Sequence, residues 1–152
     1  MAIGDSALCG TFKREILAGI HRLTSSSRGD SSAISADTFK VAMFTNSASI
    51  DADTAQYTTS NEVSGTNYTA KGNTLTSVTP VASSTTAVCD FADTTWSSAT
   101  ITANGAMIFN ESASGDPAVA ILAFGADKTS TAGDFVVSFP TADASNAIIR
   151  IA

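Results

Sequence analysis

The chain predicts a mainly β protein: an antiparallel β-sandwich, or a related two-layer sheet, with one N-terminal α-helix. Three observations lead there. Apolar residues recur with a two-residue period through most of the chain after residue 37, as in "TFKVAMF" and "ATITANGAMIFN". Turn-forming residues punctuate those runs about every 8–12 positions, the spacing of all-β folds. A helical period occurs in one place only, "TFKREILAGIHRL". With 152 residues the chain fits one domain, able to bury about 68–70% of its unfolded surface without metal or disulfide support. It divides into a helix at about 11–23, a polar linker at 24–37 and a β domain at 38–152.

The helix is justified by Phe12, Ile16, Ile20 and Leu23, which fall on one stripe with Leu17 beside it, while Lys13, Arg14, Glu15 and Arg22 take the other side. Thr11 is the expected N-cap, its hydroxyl accepting from a free N–H of the first turn. Gly19 weakens a helix by up to about 1 kcal/mol and so suggests close packing. In the β domain, Phe39, Val41 and Met43 alternate with Lys40 and Ala42. Thr74–Val81 and Thr85–Phe91, with "ASS" between them, predict a hairpin. Ala99–Asn110, Pro117–Phe124, Asp134–Phe139 and Asn146–Ala152 read as four further strands. Thr45–Asn73 is polar and weakly periodic, a long excursion with one short strand near Glu62–Ser64 and a candidate contact surface. The last strands carry apolar residues on both faces (Val119, Ile121, Leu122 and Phe124; Val136; Ile148 and Ile149), so something must cover the second face, either the helix or another subunit.

Composition narrows the function. Charged residues make up 14% of the chain, against about 25% in an average soluble protein. Net charge is −6, and the eight Lys and Arg are scattered. Nucleic-acid binding needs clustered positive charge to displace counterions, so no nucleic-acid partner is expected, and the same argument weighs against an anionic membrane surface. No stretch approaches the roughly 20 apolar residues of a membrane helix, and "MAIGDSALCGTFKREILAG" lacks the pattern of a secretory leader. The expectation is a protein made and used in soluble form. Cys9 and Cys89 show no metal-ligand spacing and read as two buried free thiols.

The residue types needed for catalysis are sparse. His21 is the single histidine, at the edge of the apolar stripe, and no G-x-S-x-G or comparable motif gives it a nucleophile. Asp51 with Asp53, and Asp90 with Asp93, lack the converging oxygens and bidentate Glu of a calcium loop and read as turn residues. Trp96, Tyr57 and Tyr68 are candidates for a sugar-stacking platform, though a lone Trp in "DTTWSS" more often anchors a core or an interface. Sequons at Asn67 and Asn110 are expected by chance in a Ser/Thr-rich chain. No catalytic residue, metal site or cofactor is expected. Arg28-Gly29-Asp30, inside "TSSSRGDSSAIS", has the letters of an adhesion ligand, yet small polar residues between helix and strand make an exposed linker first.

The helix "FKREILAGIHRL", followed by "DTFKVAMFTNSAS", "NEVSGTNYTAKGNTLT", "FADTTWSSATITANGAMIFN", "AVAILAFGADKTSTAGDFVVSFP" and "NAIIRIA", resembles a family of small virion structural proteins of tailed bacteriophages across most of the chain. These are not catalytic signatures. The resemblance implies a particle component made in the bacterial host cytoplasm and located in the virion, a cement or decoration protein on the outside of the head. Its partners would be the major capsid protein or other virion proteins, in a symmetric multi-copy assembly or with self-association. Alternatives are a tail or head–tail connector component, or a carbohydrate- or host-binding module. Candidate interface residues are Phe12, Ile16, Ile20, Tyr57, Tyr68, Trp96, Ile148 and Ile151, and the N-terminal segment, the Thr45–Asn73 excursion and the C-terminal strand are the expected contact regions.

Overall fold

A computed structural model describes residues 3–25, 34–77 and 79–152. The fold is mainly β, with two antiparallel sheets and one short N-terminal helix, as the sequence predicts. In chain order the elements are β1 (Ala7–Leu8), α1 (Gly10–Leu17), β2 (Phe39–Phe44), β3 (Asn73–Thr74), β4 (Val81–Ser83), β5 (Thr86–Cys89), β6 (Thr94–Asn110), β7 (Ala118–Val137) and β8 (Ile149–Ile151). One sheet runs β1-β7-β6-β2-β3, the other β4-β5-β8. No helix among the described residues is long and apolar enough to cross a membrane.

The helix is shorter than its stripe. Gly19 adopts φ +73°, the Gly19 N–H bonds to the Ile16 carbonyl (3.2 Å), and the Ile20 N–H bonds to the Glu15 carbonyl (3.0 Å). That pair of reverse bonds is a Schellman ending, which closes α1 at Leu17 and turns Ile20 and Leu23 off its axis. Gly19 therefore acts through its left-handed backbone and not through close packing, since nothing lies within 4 Å of where a Cβ would sit. The N-cap is Cys9, not Thr11. Cys9 makes no side-chain cap bond, and of the free N–H groups of the first turn Gly10's is taken by the Ala52 carbonyl (2.8 Å) of the excursion.

β2 is buried on both faces. Phe39, Val41, Ala42, Met43 and Phe44 are all sealed, and only Lys40 reaches partial exposure. Its register against β6 (Phe39↔Asn110 to Phe44↔Gly105) puts Ala42 and Phe44 on the side of Met107 and Phe109. That second side is covered by the excursion from residue 45 to 73. Tyr57 stacks on Phe109 (centroids 4.7 Å), and Ala48, Ile50 and Val63 sink into the core. The expected short strand near Glu62 is a single bridge, Phe44↔Glu62. α1 packs on β7, so the chain itself covers much of what the two-faced strands leave bare. Val136 stays 52% exposed.

Of the strands predicted after residue 98, Ala99–Asn110 lengthens into β6, Pro117–Phe124 and Asp134–Phe139 fuse into β7, and Asn146–Ala152 shortens to β8. Thr94–Asn110 and Ala118–Val137 form one continuous antiparallel pair, broken by four register shifts. At the largest, four residues of β7 (124 to 127) stand opposite the single Asn104 of β6, with Gly125 at φ +73° inside the bulge. Asn104 and Asn46 hold that bulge by donating to Asp127 at 2.8 and 3.2 Å. Bulges of this kind bend the pair so that a polar run resembling a turn remains within the ladder. Trp96 lies within β6, buried against Tyr68 and Phe135, and so anchors the core. The small sheet does hold a hairpin, but its first strand is Val81–Ser83 and not Thr74–Val81: two residues of the expected turn are in the strand, and the turn falls at residues 84 and 85, with Ser84 at φ 59°.

Candidate functional site

His21 sits at the centre of a buried polar network. Its Nε2 lies 3.0 Å from Glu15 Oε2, and its Nδ1 lies 3.1 Å from the Asn110 amide nitrogen. A carboxylate only accepts and an amide nitrogen only donates, so this pattern matches the Nε2–H tautomer. Asn110 also donates to Asp37 Oδ2 (2.7 Å), while its Oδ1 accepts from the Ser112 and Ala113 N–H groups. Asp37 in turn accepts from the Arg22 N–H (2.9 Å) and Arg22 Nε (3.1 Å), and its own N–H returns to the Arg22 carbonyl (2.8 Å). Burial pushes the Asp37 carboxyl up, but the Arg22 N–H, the Asn110 amide and the Arg22 guanidinium outweigh it and hold the pKa below the ordinary value. The imidazole is wholly buried, between Phe12 (4.8 Å) and Phe39 (6.4 Å). Ionisable companions do gather around His21, yet inside the fold and not in a cleft. The network clasps the chain on either side of the 24–36 segment and pins it to the end of β6.

Glu62 organises a second cluster. It accepts from Tyr57 Oη (2.5 Å), Tyr68 Oη (2.8 Å) and the Lys71 N–H (2.7 Å), and Tyr68 Oη accepts from the Met43 N–H (2.8 Å). Burial first, then the adjoining Glu62 carboxylate, raises both phenol pKa values. With Trp96 only 4% exposed, the proposed aromatic platform is dismantled: the rings are structural. Glu62→Ala should leave two phenols and one N–H without their acceptor and cost about 2 kcal/mol of stability, read as a lower urea midpoint. An unchanged midpoint would show the excursion to be held by its apolar residues alone.

The remaining candidates resolve locally. Asp51 accepts from the Asp53 N–H (2.9 Å), a turn as the sequence suggests. Asp90 accepts from the Phe91 N–H (2.8 Å) and the Ile148 N–H (3.2 Å), tying the small sheet together, and burial raises its pKa. Asp93 accepts from the Phe139 N–H instead of pairing with Asp90. No cluster of three or more metal-ligating side chains occurs among the described residues. Cys9 and Cys89 are both buried, and burial pushes each thiol up to about 11. Of the two sequons, Asn110 is sealed in the core and the Asn67 amide donates to the Ser97 and Ser98 carbonyls. Arg28, Gly29 and Asp30 lie outside the described residues.

The eight candidate interface residues separate. Phe12 and Trp96 are corrected to core residues, and Tyr57 and Tyr68 serve Glu62. Ile16 and Ile148 are half-buried, while Ile20 and Ile151 are exposed. Leu17, which the sequence set beside the stripe, is 88% exposed. The N-terminal segment and the C-terminal strand flank one groove. It consists of two adjoining hollows, of about 540 and about 320 Å3, which share Leu8, Lys13 and Arg150. Leu17 and Ile151 line the smaller, Leu122 and Ile148 the larger. Two of the three sequence-predicted contact regions, the N-terminal segment and the C-terminal strand, meet at this groove, whereas the Thr45–Asn73 excursion does not line it. No protein-family model, curated protein or solved structure matches the chain.

Proposed function

We propose that this chain is a structural protein of a tailed-bacteriophage virion, a cement or decoration protein that binds the outer lattice of the head. The observation that carries the reading is the apolar surface where α1 meets β8. Leu17 and Ile151, 88% and 52% exposed, line the same hollow of a chain whose other large side chains are mostly sealed. Grouped apolar side chains at a surface mark a contact site for another macromolecule. The resemblance of the sequence to small virion proteins supports the same role. A net charge of −6 is repelled by packaged DNA and favours the exterior. Mechanically, a protein that binds only the assembled lattice stabilises it by its binding free energy at every site it fills.

The test is sedimentation with purified particles. The protein is expected to bind assembled heads and not free head subunits, and stripping it should leave heads intact but releasing DNA at a lower temperature. Unchanged thermal release after complete stripping would overturn the reading.

A further inference from the structure

The groove lies between two strand ends of different sheets. β1 is the terminal strand of the five-stranded sheet, β8 that of the three-stranded sheet, and residues of both line it. A terminal strand has one row of N–H and C=O groups without a ladder partner, which is a template for a further strand. The walls are mainly aliphatic, through Leu8, Ile16, Leu17, Leu122, Ile148 and Ile151.

The charge of the groove runs against that of the molecule. Acidic residues outnumber basic ones by 14 to 8 in the chain. Yet among the described residues the only charged side chains lining the groove are Lys13 and Arg150, both exposed, and no described Asp or Glu side chain lines it. The Lys13 side chain makes no hydrogen bond or ion pair among the described residues, while the Arg150 guanidinium donates to the Ser145 carbonyl and acts on the nearby Asp143 carboxylate, which lies outside the groove lining. Two cations beside aliphatic walls at an open strand edge match an extended peptide with alternating apolar and carboxylate side chains.

We infer that the groove between β1–α1 and β8 receives an extended, apolar and acidic segment of a partner protein, added as a strand to the free edge of β8. Strand addition of this kind draws affinity from main-chain hydrogen bonds and specificity from side-chain pockets. The partner is a different chain and not a second copy. A two-fold pairing of this face would bring its cationic patch against a second cationic patch, because such an interface is the same patch on both subunits. Opposite charge across the interface would instead steer the encounter and fix its register. The inference rests on the virion reading for the partner's identity, but not for its chemistry.

The probe is a capped eight-residue peptide alternating valine and glutamate, with alternating valine and lysine as control, titrated calorimetrically into the full chain at low salt. The glutamate peptide is expected to bind at least about tenfold tighter, with new amide-exchange protection at residues 149 to 151. The double variant Lys13→Glu, Arg150→Glu should reverse the preference, and Ile151→Asp should abolish binding, each with its thermal midpoint unchanged because all three side chains are exposed. Equal binding of the two peptides, or binding of neither, overturns the inference. So does a dimer of the parent chain that the double variant dissolves. If the parent coats heads and the double variant coats them equally, the groove inference fails and the virion reading stands. If the parent ignores heads yet selects the glutamate peptide, the virion reading fails and the groove inference stands.

Discussion

Gly72→Ala is expected to cost more than about 4 kcal/mol and to leave little folded protein. Gly72 follows Lys71 in a left-handed turn, at φ +62°, where the chain closes onto β2. A Cβ there would lie 1.9 Å from the Val41 carbonyl oxygen and 2.9 Å from the Ala42 Cα. Both are backbone atoms of a strand buried on both faces, so neither can swing aside. The methyl group would push β3 off β2 or distort the centre of the core, and cores resist overpacking. Gly19→Ala makes the control. It has the same sign of φ but open space around it, so only the left-handed penalty of about 1 kcal/mol remains. Urea unfolding of both proteins separates the two costs, and a Gly72→Ala midpoint close to that of Gly19→Ala would refute the close approach.

The second large effect is expected at Asp37. Asp37→Ala removes the acceptor for the Arg22 N–H, the Arg22 guanidinium and the buried Asn110 amide, and should cost about 3 kcal/mol near neutral pH. The pH dependence has a definite sign. The folded pKa of Asp37 lies below the model-compound value of 3.8, so its contribution is complete above 3.8 and is lost as pH falls below it towards the folded value. The stability gap between parent and variant should therefore be constant from pH 7 down to about 5 and narrow below about 4. Asp90 works in the opposite direction. Its raised pKa makes its contribution greatest where it is protonated and weaker as pH rises through the folded value. Subtracting variant from parent cancels Asp90. A gap that did not narrow in acid would show that Asp37 acts by packing and not by charge.

What the sequence revealed and what it withheld follow from range. The β2 strand was legible because alternation over a few residues reports a buried face directly, and Phe39, Val41 and Met43 are sealed as expected. The burial of Ala42 and Phe44 was not, because their cover arrives from the excursion, whose polar composition hides the few anchors (Ala48, Ile50 and Val63) that fold it down. The continuity of β7 was concealed by "GADKTSTAGD", which has the composition of a turn; bulges and the Asp127 anchor keep it in the ladder. The early end of α1 was written in Gly19, but a glycine read as a packing contact and one read as a left-handed stop look alike in sequence. At the candidate site, the aliphatic character of Ile20 and Ile151 survived folding as exposed surface, whereas Phe12 and Trp96 did not. Hydrophobicity alone cannot assign a large side chain to the inside or to a partner. The His21 network was out of reach, since Asn110 is a single residue 89 positions away.

The clasp between Arg22 and Asp37 has a consequence for how this molecule tolerates change. The entropy of closing a longer stretch grows slowly, by about 0.6 kcal/mol for each doubling. Foreign cargo spliced between Ser25 and Ala36, from an epitope tag to a small folded domain, should therefore leave its carrier folded.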